Sequence, residues 1–182
     1  MKHEKLLETI TIPEGCTFST SNGSMVVKGS KGELSRALPD KKINLEVQGS
    51  ELSLFYNNAS KREKRLLFTT KAHVKNMFKG VTEGFVYKLK ICSGHFPMNV
   101  SVKNDVLEIK NFIGEKVPRT LKIKPGASVK INGDEIVVES INKEIAGQTA
   151  GSIEKLTKRP GFDKRIFQDG IYIVEKDGKR LS

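Results

Sequence analysis

The sequence predicts an α+β protein of two tandem duplicated domains, each a small antiparallel-rich β-sheet packed against one α-helix. Three observations carry this expectation. The chain repeats against itself, short β-rich segments alternate with turn signals, and each copy closes in an amphipathic helical pattern. In the first copy Phe18, Thr20, Asn22, Met25, Val27, Lys28, Gly32 and Glu33 align, at a shift of about 82 positions, with Val100, Val102, Asn104, Leu107, Ile109, Lys110, Gly114 and Glu115. Arg36 and Leu38 meet Arg119 and Leu121 one residue later. Leu45, Val47, Gly49, Leu52 and Leu54 meet Val129, Ile131, Gly133, Ile136 and Val138 one later again. Two single-residue insertions in surface turns explain the drift, because turns absorb extra residues more cheaply than paired strands do. The first repeat is expected over 1–82 and the second over 83–182.

Taken in order, segments 17–20 and 24–28 read as strands joined at Asn22-Gly23, a pair that tolerates the positive φ of a two-residue hairpin. Segments 43–48 and 51–56 meet at Gly49-Ser50. Ser60, with Glu63 three residues on, has the capping-box arrangement ahead of a helix over 61–79. Its inward stripe is Leu67, Thr70, Val74, Met77, Phe78 and Val81, recurring at three- and four-residue steps. In the second copy 99–103 and 106–110 flank Asn104-Asp105, and 128–131 and 135–139 flank Asn132-Gly133. A second helix over 142–158 turns Ile145, Thr149, Ile153 and Leu156 inward and stops before Pro160-Gly161.

Hydrophobic residues at 37% and charged residues at 29% describe a soluble globular protein, and two units of about 80 to 100 residues can each bury a modest core. No apolar run approaches the roughly 18 residues of a membrane span. Residues 1–8 carry Lys2, Glu4, Lys5 and Glu8 without an apolar stretch behind them, so no secretory signal and a cytoplasmic location are expected. Cys16 and Cys92 are then expected as buried, reduced thiols. Cys92 and His95 form a C-x-x-H, but no second pair completes a zinc set, so no metal is expected.

The net charge of +11 points to a polyanion, although solubility alone is an alternative use of such charge. Residues 1–84 carry 14 Lys and Arg against 9 Asp and Glu, and residues 85–182 carry 18 against 12. Neither half is a detached basic tail. On the first helix Lys61, Lys64, Lys71, Lys75 and Lys79 fall within about 80° of arc, with Glu63 the only acid among seven basic residues from 61 to 79. That ribbon, expected at Lys64, Lys71, Lys75 and Lys79 above all, suits a polyanion or an acidic partner as a secondary basic face.

Two stretches of the second copy mix cations with other RNA-contacting groups. The first places Lys110, Asn111, Phe112, Gly114, Lys116, Arg119, Lys122 and Lys124 in what reads as an exposed loop, with Glu115 the only acid. Arginine, lysine, asparagine and an exposed aromatic grip phosphate and stack on unpaired bases, but Phe112 reads equally well as core. The second runs through Lys155, Lys158, Arg159, Phe162, Lys164 and Arg165 around a Pro-Gly turn, where arginine beside glycine lets backbone approach phosphate closely. Gly147 and Gly151 lie with Lys155 and Lys158 on the outward side of the preceding helix. Two interior glycines on one face each cost about 0.8 to 1 kcal/mol against alanine, which suggests close packing by RNA or by another helix. Gln148 joins this set.

An enzyme of this size needs a nucleophile with its base, paired carboxylates or a nucleotide loop. Gly29 to Gly32 and Gly147 to Gly151 lack the lysine and hydroxyl spacing of a phosphate-binding loop, and His3, His73 and His95 have no acid partners at a recognisable interval. The expectation is no enzyme and no cofactor.

Gly94, His95, Phe96 and Pro97, the segment from Ile109 to Lys116, the helix from Lys143 to Gln148, and the run from Phe162 to Tyr172 together resemble the large-subunit ribosomal protein L6 family over nearly the whole chain. The resemblance is to the archaeal and eukaryotic branch, because Pro160-Gly161-Phe162-Asp163-Lys164-Arg165 stands where bacterial members carry a P-Y-K-G-K-G type sequence. It implies two α+β domains descended from duplication and assembly onto large-subunit ribosomal RNA, mainly through the second domain. It also implies a place near the translation-factor site and the stalk base, beside neighbouring ribosomal proteins, with no small-molecule substrate and no membrane. A free-standing RNA-binding or RNA-chaperone module is the alternative. An anionic-membrane protein is disfavoured, since neither helix has apolar residues beyond those its core uses.

Overall fold

The computed structural model describes residues 3–21, 23–40, 42–163 and 165–181, so Asn22 of the expected Asn22-Gly23 turn and Lys164 of the basic loop lie outside the described residues. The chain divides into two compact units, Met1–Gly84 and Phe85–Ser182.

The first unit runs β1 (His3–Thr11), β2 (Thr17–Ser21), β3 (Ser24–Gly29), β4 (Gly32–Ala37), β5 (Asn44–Gln48), β6 (Glu51–Ala59) and α1 (Lys61–Thr82). Its strands form two antiparallel three-stranded sheets, in the orders β1-β6-β5 and β2-β3-β4. The expected α+β unit is present, with its antiparallel strands divided between two sheets rather than held in one. At 22 residues, α1 is about 33 Å long at 1.5 Å per residue, long enough for its stripe to cover both sheets. Met25 and Val27 come from one sheet, Leu52 and Leu54 from the other, and Leu67, Val74, Phe78 and Val81 from the helix, all buried in one core.

Local chemistry fixes the helix ends. Glu63 accepts from the Ser60 amide at 2.9 Å, and the Ser60 hydroxyl accepts from the Arg62 amide at 3.3 Å, completing the capping box. At the other end the Gly29–Gly32 hairpin reaches under the last turn, where the Lys31 amide donates to the Val81 carbonyl at 2.9 Å. The approach requires glycine: a Cβ at Gly29 would sit 2.6 Å from Val81 Cγ2 and 2.9 Å from its carbonyl oxygen.

The second unit runs β7 (Phe85–Cys92), β8 (Asn99–Lys103), β9 (Val106–Lys110), β10 (Arg119–Lys122), β11 (Ala127–Asn132), β12 (Glu135–Ser140), α2 (Lys143–Leu156), β13 (Gly170–Lys176) and β14 (Lys179–Arg180). Its sheets are β10-β9-β8 and β11-β12-β7-β13-β14. Asn142, expected inside the helix, instead caps it by accepting from the Glu144 amide at 2.9 Å. The duplication is visible in the strand register. Phe18 opposes Val27 and Thr20 opposes Met25, as Val100 opposes Ile109 and Val102 opposes Leu107. Leu45 opposes Leu54 and Val47 opposes Leu52, as Val129 opposes Val138 and Ile131 opposes Ile136.

One part of the aligned repeat shifts. Val27 pairs with Leu34 and Met25 with Arg36, whereas Ile109 pairs with Arg119 and Leu107 with Leu121. Arg119 therefore occupies the place of Leu34, not of Arg36. The extra residues sit between β9 and β10, where a short 3-10 turn over Phe112–Gly114 replaces the tight Gly29–Gly32 hairpin. Cys16 and Cys92 are free and only half-buried rather than fully buried.

Candidate nucleic-acid interface

Three loops of the second unit are locked together at the C-terminal end of α2. Asp169 is the knot. Its carboxylate, with the side chain only 1% exposed, accepts from the Gly94 amide at 2.8 Å, the His95 amide at 3.0 Å and the His95 ring Nδ1 at 2.6 Å. Burial resists its ionisation, but the bonds from the His95 amide, the His95 ring and the Gly94 amide outweigh that and hold the carboxyl below its usual range. The other side of the same loop is tied down by Asn111, whose side-chain amide donates to the Pro97 carbonyl at 3.1 Å. The acid partner of His95, expected to be lacking, stands 74 residues away in sequence, a separation that leaves no local signal.

The loop between β9 and β10 is built on Phe112. That side chain is 1% exposed and belongs to the core, so its assignment as an RNA-stacking residue is corrected: no ring face is left for a base. The residues around it adopt left-handed backbone, with φ of 59° at Asn111, 47° at Ile113 and 74° at Gly114. Over the Phe112 ring, with 4.3 Å between its Cζ and the ring centroid, lies the Arg119 guanidinium. Arg119 forks onto Glu115 with two bonds of 2.7 Å and donates to the Leu156 carbonyl at 2.6 Å. The guanidinium is therefore committed to capping α2 and neutralising Glu115, rather than standing unpaired in a basic loop. The hydrogen bonds from Arg119 hold that carboxyl below its ordinary value.

The third loop leaves α2 at Thr157, whose hydroxyl accepts from the Ile171 amide at 2.9 Å, and returns through β13. Within it Arg159 lies 4.2 Å from the centroid of the Phe162 ring. Phe162 meets Phe167 edge-on at 5.0 Å, and Phe167 meets His95 at 5.1 Å. Together the end of α2 and this loop enclose a cleft of about 430 Å³, lined in part by Ile113, Gly151, Lys155, Lys158, Arg159, Phe162, Phe167, Asp169 and Tyr172. Sequence reasoning missed His95, Phe167, Asp169 and Tyr172 as site residues. Burial pushes the Tyr172 phenol up, so it stays a neutral donor.

Of the residues assigned to RNA from sequence, Gly151, Lys155, Lys158, Arg159 and Phe162 meet at this cleft. Lys116, Lys155 and Lys158 are exposed and have no ion-pair partner among the described residues. Lys110 pairs with Glu108 at 3.4 Å, and the largely exposed Arg165 pairs with Asp163 at 2.7 Å. Exposed Gln148 accepts from Lys124. Gly147 departs from its expected outward position, since a Cβ there would stand 3.6 Å from the Tyr87 hydroxyl, whereas at Gly151 it would meet nothing within 4 Å. Phe96, Val117, Phe162 and Ile166 are large apolar side chains left exposed on these same loops.

On α1 the lysine ribbon is interrupted. Lys71 is half-buried against Glu8 of β1, an acid that strand pairing brings to the helix from 63 residues away. Lys61, Lys64 and Lys75 stay exposed, with the Lys64 ammonium 5.9 Å from the centroid of the exposed Phe68 ring. Among the described residues no cluster of His, Cys, Asp and Glu is placed to hold a metal ion, and no helix is long and apolar enough to cross a membrane.

Comparison with known proteins agrees with the division into two similar units. The family model described as Ribosomal protein L6 matches twice, at residues 12–84 and 96–170. The chain is 44% identical over 174 residues to the large ribosomal subunit protein uL6 of Methanococcus vannielii, covering 96% of each. It is 44% identical to that of Methanobrevibacter smithii, covering 93% of this chain and 96% of the relative, and 46% identical to that of Methanosarcina mazei, covering 95% and 98%. With one match in each unit and relatives aligned over nearly their whole length, the chain belongs to the ribosomal protein L6 family, in its archaeal-type branch, and is a structural protein rather than an enzyme.

Proposed function

We propose that this structural constituent of the large ribosomal subunit binds large-subunit ribosomal RNA through the second unit, near the translation-factor site and the base of the stalk. The residues assigned are Lys110, Asn111, Lys116, Gly147, Gln148, Gly151, Lys155, Lys158, Arg159, Phe162, Lys164 and Arg165. One observation supports the reading: Lys116, Lys155 and Lys158, which have no acidic partner among the described residues, stand with exposed aromatics on and beside loops that are tied to one another. Such loops present a fixed pattern of charge, which suits folded RNA recognised by backbone shape more than by sequence. Partially exposed Phe162, at 37%, supplies the ring that Phe112 does not. The location is cytoplasmic, on the ribosome, and the partners are RNA and neighbouring ribosomal proteins. Lys64, Lys75 and Lys79 form the secondary face.

Replacing Lys155, Lys158 and Arg159 together with alanine tests the reading on large-subunit RNA fragments. The slope of log affinity against log salt is expected to flatten by about 0.7 to 0.9 for each phosphate that is no longer neutralised. An unchanged slope would refute the assignment.

A further inference from the structure

We infer that the cleft at the end of α2 receives one unstacked nucleobase of the RNA, with the adjoining phosphate held by Lys155, Lys158 and Arg159. This rests on the reading that the second unit binds RNA, and it adds what enters the protein rather than what lies on it.

The cleft measures about 430 Å³, within the span of about 300 to 1,000 Å³ of small-ligand pockets. That is too small for a paired helix and adequate for a single residue of a strand. Its floor is open because Gly151 has no side chain and a Cβ there would meet nothing within 4 Å. Three rings, Phe162, Phe167 and Tyr172, stand around it. Phe162 and Phe167 meet edge-on rather than stacked, a contact that occupies at most one face of one of the two rings. A planar guanidinium covers Phe162 and is itself a surface on which a base can stack.

Polar chemistry points the same way. Of the two carboxylates of the lining, Asp169 is taken up through both oxygens by the residue 94–95 backbone and the His95 ring, and Glu154 accepts from the Ile173 amide at 3.1 Å through one oxygen. Cations are left unpaired at the same cleft, since Lys155 and Lys158 have no ion-pair partner among the described residues. Aromatic walls with free cations match a base attached to its phosphate. A free inorganic anion would leave the rings unused, and an aliphatic ligand would leave the lysines unused.

The test uses the full chain and a transcript of large-subunit RNA. Gly151→Leu fills the cleft from its floor, and Phe162→Ala removes a wall. Each is expected to weaken binding by about 5- to 150-fold, the range seen when one base–aromatic stack is removed, with the salt slope unchanged because the phosphates stay neutralised. Ultraviolet cross-linking of the wild-type complex is expected to join a peptide containing Phe162, Phe167 or Tyr172 to a single nucleotide, and Gly151→Leu to abolish that adduct. Wild-type affinity in both variants, or RNA adducts that form only outside these rings, would overturn the inference while leaving phosphate binding intact. A salt slope that ignores Lys155, Lys158 and Arg159 would instead overturn the underlying reading.

Discussion

Phe112→Ala separates a core residue from an RNA-stacking one, because the two roles move different measurements. The side chain is 1% exposed and among the largest fully buried groups of the protein. Truncating a buried phenylalanine costs about 3 to 5 kcal/mol through lost transfer energy and the cavity left behind. The loss falls on a unit of 98 residues (85–182), a size class whose total stability is about 5 to 15 kcal/mol. Two further effects push the same way. Arg119 loses the ring beneath its guanidinium, and the left-handed backbone at Asn111, Ile113 and Gly114 loses the burial that holds it. Urea unfolding read by circular dichroism is expected to show the midpoint for this unit falling by at least about 1 M at unchanged slope. Hydrogen exchange at β9 and β12 amides assigns the change to the second unit. Arg119→Ala is expected to follow with a smaller loss of about 1.5 to 3 kcal/mol, the scale of a hydrogen bond to a charged group. Unchanged stability in Phe112→Ala together with weakened RNA binding would refute the placement of the ring in the core.

Two other perturbations probe the framework. Because the Asp169 carboxyl is held below its usual value in the folded protein, its bonds stabilise fully above the unfolded carboxylate pKa of about 3.9. That contribution is lost as pH falls through the folded value. Urea midpoints measured from pH 6 to pH 3 are expected to drop at the acid end, and less steeply in Asp169→Asn; equal slopes would sink the assignment. Gly29→Ala forces a Cβ to within 2.9 Å of the Val81 carbonyl oxygen and is expected to destabilise the first unit by about 1 to 3 kcal/mol, the scale of overpacking. A variant as stable as the parent would show that β3 and α1 have room to separate.

The helical stripe of α1 and the capping box at Ser60 were legible because both are local patterns of three and four residues. Every apolar member of the expected stripe is buried. Strand pairs such as Leu45–Leu54 were legible through the repeat, since the same register recurs as Val129–Val138. What failed was long-range. β1 and β7 open their units without a hairpin signal, and Glu8 reaches Lys71 across 63 residues. Arg119 looked like one more cation in a basic loop, because nothing nearby in sequence announces that its acceptor is the Leu156 carbonyl. Charge counts along a chain cannot tell a guanidinium that caps a helix from one that faces solvent.

The two copies diverge where the candidate interface lies, and the divergence explains how a shared framework acquired it. In the first unit the Gly29–Gly32 hairpin closes the end of α1 at close range, through the Lys31 amide and the Ser30 hydroxyl on the Val81 carbonyl and the Lys31 ammonium on the Glu83 carbonyl. In the second, the longer connection withdraws the backbone from that job and Arg119 supplies the cap from its side chain. A side-chain cap holds the helix end while leaving space beside it. Into that space the chain after Thr157 folds back toward β13, an extension that follows α2 in the second copy and has no counterpart in the α1 unit. Asp169 then ties the extension to the 94–97 loop. The two units thus differ at this one connection, a tight hairpin in the first and a longer loop with a charged cap beside the cleft in the second, while other strand pairs keep a common register.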